Sequence, residues 1–199
     1  MTDDLRIRRY DPVWRAAAPY LNARKNDVHL PLAFAYCQEL LAFYPEADAD
    51  VCSLAILLHD IGWYQIDMVD IIEKGFGPNM MQSDVRFRHE AEGVRMGGEI
   101  LAATGWSEDV IKQVSDIIDG HDTRPNPRSL NDRIVRDADK LWRFSVIGAA
   151  LASDWFKCTP QDYVRKQDQT YKLLETEAAH GIARREHEVA IKALMTDLI

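Results

Sequence analysis

The chain has 199 residues and a formal net charge of −8, with 47% hydrophobic and 28% charged residues. That length supports one domain with a sizeable core, and the acidic balance excludes a protein that holds a nucleic acid polymer along a broad basic surface. A small anionic substrate stays open, because a bound cation reverses the sign of the local field.

No apolar run reaches the roughly 18–20 residues of a membrane span, and the first residues, Met1-Thr2-Asp3-Asp4-Leu5-Arg6, carry no apolar signal core. No membrane partner is expected. Cys37, Cys52 and Cys158 are scattered, without a CxxC pair. They read as reduced thiols packed as small hydrophobes, in keeping with a cytoplasmic location.

Apolar residues recur at three- and four-residue steps, so the expected elements are helices. The first runs over residues 12–24. Asn26-Asp27 caps a second, with Leu32, Ala35, Tyr36, Leu40 and Phe43 on its inner side and Pro45 ending it. Asp48 to Asp50 opens a short apolar helix that ends at His59-Asp60, and Gly62 lets the chain turn. Residues 75–84 read as a loop. The longer stretch 63–88, with Trp63, Tyr64, Phe76, Met80 and Met81, either covers the site or packs beneath a loop. A helix over residues 90–103 starts with His89 beside it and stops at Gly105. Ser107 caps the next, which ends at Gly120-His121. After a loop with Pro125 and Pro127, a long helix carries Ile134 through Val146. Residues 162–180 and 186–198 give two more, with His180 and His187 as surface residues. Trp14, Trp106, Trp142 and Trp155 read as core or interface.

A histidine and an aspartate side by side at the end of a buried helix are costly unless something binds both, and a divalent metal suits imidazole and carboxylate. His29 precedes the pair, and His89, His121 and Asp139 follow it. Ligands delivered from several helices suit an octahedral site, and the lack of cysteine among them weighs against structural zinc. Asp137 and Asp139 diverge by about 200° on a helix, so only one can face the ion. Spacing alone leaves open which of the two does.

Val28-His29, Leu57-Leu58-His59-Asp60-Ile61-Gly62, His89 with Glu92-Gly93, Ile117-Ile118-Asp119-Gly120-His121 and Asp137-Ala138-Asp139-Lys140-Leu141, in that order, resemble the HD-domain superfamily of metal-dependent phosphohydrolases. The resemblance implies an all-α, single-domain helical bundle of the HD-domain type around a metal site. The expected parts are an N-terminal helical extension (1–24), the HD metal-binding domain (25–155) and C-terminal helices packed on it (156–199). It implies His29, His59, Asp60 and Asp139 as ligands of the primary ion. His89 and His121 are similar to those of the branch that holds two ions, with Asp60 bridging. Family members often place an acidic residue after the final Leu, where this chain has Trp142.

The implied activity is hydrolysis of a phosphate ester or anhydride of a small metabolite, a nucleotide by preference, with one or two divalent ions (Mn, Fe, Mg, Ni or Co). A metal-held water attacks the phosphorus. Asp60 or Asp122 accepts its proton, and Lys140 stands beside the site. Arg86, Arg88 and Arg124 are the expected phosphate clamps, because Arg grips phosphate bidentately. A di-iron HD-type oxygenase, similar to myo-inositol oxygenase, and a metal-binding regulatory module without turnover are the alternatives. A homodimer is left open.

Overall fold

The computed structural model describes residues 8–74 and 83–194. Every regular element among them is helical: α1 (Asp11–Ala17), α2 (Asn26–Leu41), α3 (Ala49–Leu58), α4 (Met68–Lys74), α5 (Asp84–Ala103), α6 (Glu108–Ile118), α7 (Leu130–Leu141), α8 (Val146–Trp155), α9 (Pro160–Arg165), α10 (Asp168–Tyr171) and α11 (Glu177–Leu194). Short 3-10 turns at Ala18–Tyr20, Ala23–Lys25, Ile61–Gln65 and Trp142–Phe144 join them. The fold is the expected all-α bundle.

α3 is the axis. Each residue from Val51 to Leu58 is buried, because α2, α6 and α7 surround the helix. A helix apolar on every side needs that enclosure. Its start is fixed by Asp48, whose carboxylate accepts the N–H groups of Asp50 and Val51. Such a cap stabilises by about 1 kcal/mol. Ser83, Ser107, Ser129, Ser145 and Thr159 cap α5, α6, α7, α8 and α9 in the same way.

Several boundaries differ from the sequence expectation. The first helix stops at Ala17, because Pro19 opens a separate turn, and Arg24 and Lys25 take positive φ values of 48° and 59°. α5 begins at Asp84, so His89 sits inside the helix instead of at its start. Part of the stretch read as loop is ordered: Ile61–Gln65 is a 3-10 turn and Met68–Lys74 is α4. Phe76, Met80 and Met81 lie outside the described residues. The single long helix through Val146 is two helices, broken where Ser145 caps α8. Near the C-terminus, residues 162–180 hold the end of α9, all of α10 and the start of α11, which then runs unbroken to Leu194.

Gly62 is required by close approach and not by a turn. A Cβ there would lie 2.0 Å from the His89 carbonyl oxygen and 2.5 Å from the Gly93 nitrogen. The turn after α3 is thereby pressed onto α5. Cys37 and Cys52 are buried free thiols, and burial pushes the Cys52 thiol up to about 12. His180 and His187, expected at the surface, are half-buried: His180 packs on Tyr171, and His187 Nε2 lies 2.9 Å from the Val164 carbonyl. No described helix is long and apolar enough to cross a membrane.

Candidate metal centre

Four helices and one connecting turn deliver the site. His29 comes from α2, His59 and Asp60 from the end of α3, His89 from α5, His121 and Asp122 from the turn after α6, and Asp139 from α7. All but Asp122 are buried.

One half is tight. His29 Nε2 is 3.1 Å from His59 Nε2, and both nitrogens lie 3.3 Å from Asp139 Oδ1. Asp60 Oδ2 completes it, 3.5 Å from His29 and 3.8 Å from His59. The other half uses the second oxygen of the same carboxylate. Asp60 Oδ1 is 3.5 Å from both His89 Nε2 and His121 Nε2, which are 3.4 Å apart. Asp122 Oδ2 stands 3.9 Å from His89. Asp60 thus faces two donor sets at once.

Hydrogen bonds set the imidazole tautomers on both sides. His59 Nδ1 lies 2.8 Å from the Ile56 carbonyl and His121 Nδ1 lies 2.9 Å from the Ile118 carbonyl. Each proton therefore sits on Nδ1, and each Nε2 keeps its lone pair pointing inward. His29 and His89 have no partner for Nδ1; each lies against an indole, Trp142 at 4.7 Å and Trp63 at 4.1 Å between ring centroids.

This donor set fits divalent cations. Lone pairs of imidazole and carboxylate converge at separations that repel unless positive charge lies among them. Ligands about 2.1 Å from one ion are roughly 3.0–3.4 Å from one another, which matches the closest pairs. Only nitrogen and oxygen donors are present, suiting Mn, Fe, Co, Ni or Mg over a thiolate-held metal. With protons alone to balance the carboxylates, burial would lower His29 and His121, but the surrounding carboxylates together outweigh it: Asp139 and Asp60 at His29, and Asp60, Asp122 and Glu90 at His121. His29 is raised, and His121 rises to about 9. Burial and the neighbouring His121 hold His89 down at about 3. Burial would raise Asp122, yet His121 and His89 keep it at about 2.

Asp137 is directed elsewhere. Its carboxylate accepts the backbone N–H of Glu175 and Thr176 and the Thr176 hydroxyl, at 2.8, 2.9 and 2.6 Å. It anchors the start of α11, while Asp139, two residues on, faces His29 and His59.

A cleft of ≈ 510 Å³ opens over the centre. Its wall includes Asp122, Asp139, Lys140, Arg143, Arg86, Trp155 and Phe156. Of the expected clamps, Arg86 lines it and donates to the Asp122 carbonyl. Arg124 also borders it, but its guanidinium is tied to Asp132 at 2.8 Å and to the Asp119 carbonyl at 2.8 Å. Arg88 lies outside the lining and pairs with Asp70 at 3.1 Å. Lys140 Nζ donates to the Arg136 carbonyl at 2.9 Å, and burial lowers its pKa.

Four residues were not singled out from sequence. Arg143 lines both the cleft and the floor of the centre; burial works against its charge, but Asp139 and Asp122 outweigh it. The signal was its spacing, four residues after Asp139, which puts both on one face. Arg24 lines the same two spaces. Trp155, expected as core or interface, forms part of the cleft wall. Glu90 is 2% exposed. It accepts the backbone N–H of Asp122 and Thr123 at 2.8 and 2.9 Å and the Thr123 hydroxyl at 2.6 Å, fixing the turn that carries His121. Its place beside His89 was the available clue.

The HD domain family model matches residues 29–143. In overall fold the chain is similar to the crystal structure of a predicted HD superfamily hydrolase from an uncultured Thermotogales bacterium. That likeness has a TM-score of 0.63 at 17% identity and covers 94% of this chain and 89% of that one. No curated protein matches the sequence. The matched stretch begins at His29, takes in every other residue of the donor cluster and spans more than half of the chain: this protein belongs to the HD-domain family.

Proposed function

We propose that the protein hydrolyses a phosphate ester or anhydride of a small metabolite, with a nucleotide as the preferred class. The observation that carries this reading is the union of a two-sided donor cluster with a cationic, aromatic cleft. Arg143, Lys140, Arg86 and Arg24 border the same space as Asp122 and Asp139, where a phosphoryl group can meet positive side chains and the ion site together. Phe87, Trp155 and Phe156 supply apolar faces in the same wall for a base or sugar.

A bound divalent ion lowers the pKa of water toward neutrality and polarises a phosphoryl oxygen. The rest falls to the chain. Both oxygens of Asp60 are already directed at imidazoles, and Oδ1 also accepts the Trp63 N–H at 3.0 Å. Asp122, half-buried and at the cleft edge, is the carboxylate left to accept the hydrogen of the attacking water at Oδ2. Arg143 holds the phosphoryl oxygens, and Lys140 donates a hydrogen bond to the substrate from the wall. Arg86 and Glu90 keep Asp122 in place through its backbone.

The test is phosphate release by the purified chain loaded in turn with Mn, Co, Ni, Mg or Fe, across nucleotides and sugar phosphates. Saturable, metal-dependent release that falls at least tenfold in Arg143→Ala is expected. Oxygen consumption by the iron form without phosphate release would replace this reading with the oxygenase. Metal binding with neither activity would leave the regulatory module.

A further inference from the structure

Trp63, three residues after Asp60, lies against the centre and borders the cleft, and none of the steps above assigns it a role of its own. Three constraints meet on it. Its indole N–H donates to Asp60 Oδ1 at 3.0 Å. Its ring lies parallel to the His89 imidazole, with centroids 4.1 Å apart and an interplanar angle of 14°. The Arg24 guanidinium stands 4.1 Å from the indole centroid, carried there by the left-handed backbone at Arg24. Trp63 is 2% exposed and packs with Ala23, Ile66, Ile71 and Val85 in a small core of its own.

The two contacts that Trp63 makes within the donor set, Asp60 Oδ1 and His89, both fall on the His89–His121 side, whereas Arg24 also borders His29 and Asp139. On the His89 side the ring nitrogen Nδ1 has no hydrogen-bond partner among the described residues, so the stack does the orienting that a carbonyl does for His59 and His121. We infer that Trp63 is a positioning residue for the second ion alone: it fixes the lone-pair direction of Asp60 Oδ1 and the ring plane of His89. Occupancy of the His89–His121 half then depends on Trp63, while the His29–His59–Asp139 half does not. Groups that orient ligands in this way typically change metal affinity by about 10–100-fold when removed.

The inference rests on a centre that takes two ions and not on the phosphate substrate. The test is calorimetric titration of the metal-free full chain with Mn or Co, with elemental counting of bound ions. Trp63→Phe keeps the stacked ring and removes the N–H. The wild type should bind two ions. The variant should hold the first with affinity within about threefold and the second at least about tenfold more weakly. Equal weakening of both ions, or no change in either, overturns the inference, as does a wild type that binds one ion or none. If Trp63→Phe fails to fold, the wild-type indole N–H resonance decides: a larger shift with the second equivalent of Mg is expected, and movement with the first alone refutes it. A wild type with two ions and no phosphate release leaves this inference standing and removes the proposed reaction.

Discussion

At the scale of single residues, direction counts for more than adjacency. Asp137 and Asp139 have the same side chain two positions apart, yet one anchors α11 and the other faces His29 and His59. Asp139→Asn is expected to lose metal retention and keep the helical content. Asp137→Asn is expected to keep the metal and lose about 1–3 kcal/mol of stability, since buried N–H groups lose a charged acceptor. Elemental counting and thermal unfolding separate the two, and metal loss in Asp137→Asn would reverse the assignment. The raised histidines give a pH dependence. Below the unfolded value of 6.5, proton binding to His121 contributes its full stabilisation of the metal-free fold, and this is lost as pH rises through about 9. Ions must displace those protons, so metal affinity should climb as pH rises from about 6.5 towards 9, with proton release on binding. Calorimetry in buffers of different ionisation enthalpy reads this directly. A pH-independent affinity with no proton release would contradict it.

At the scale of elements, the sequence is most legible where the signal is local. The cap at Asp48, the apolar run to Leu58 and the Ser107 cap all appear where expected, because side chain and backbone satisfy each other within a turn. Tertiary contacts decide what was missed. The break before α8 has a packing cause: a Cβ at Gly148 would lie 1.8 Å from the Trp142 carbonyl oxygen, an approach invisible in a periodic pattern. The early start of α5 follows from the Ser83 cap, a local signal that lies inside the stretch 75–84 read as a loop. Arg124 follows the His121-Asp122 pair closely in sequence but turns to Asp132, which the spacing does not reveal. Gly62→Ala is the sharpest elemental test. Its Cβ would strike the backbone of α5, so the turn after α3 must move and take Asp60 with it. The expected result is a loss of more than about 2 kcal/mol in stability together with weaker metal binding. A variant as stable as the parent would show that α5 does not pack on this turn.

At the scale of the whole molecule, charge is divided by place. The chain carries a formal −8, yet Arg24, Arg86, Arg124, Arg136, Lys140 and Arg143 border one cleft. A basic mouth on an acidic chain supports the small anionic substrate proposed above over a long anionic polymer. Of the donor set, the histidines, the His59-Asp60 pair and Asp139 were readable from order and context. The division into halves with Asp60 between them was implied by the family resemblance alone; which oxygen of Asp60 faces which imidazole depends on the folded backbone and was not legible. Helices from across the bundle bring these side chains together, so their convergence is the claim on which the rest stands. It is tested most directly by diffraction from the metal-loaded protein at the absorption edge of the bound ion. The account predicts anomalous density between His29, His59, Asp60 and Asp139, with a second peak between Asp60, His89 and His121. Density elsewhere on the molecule, or none among these residues with metal in excess, would contradict it.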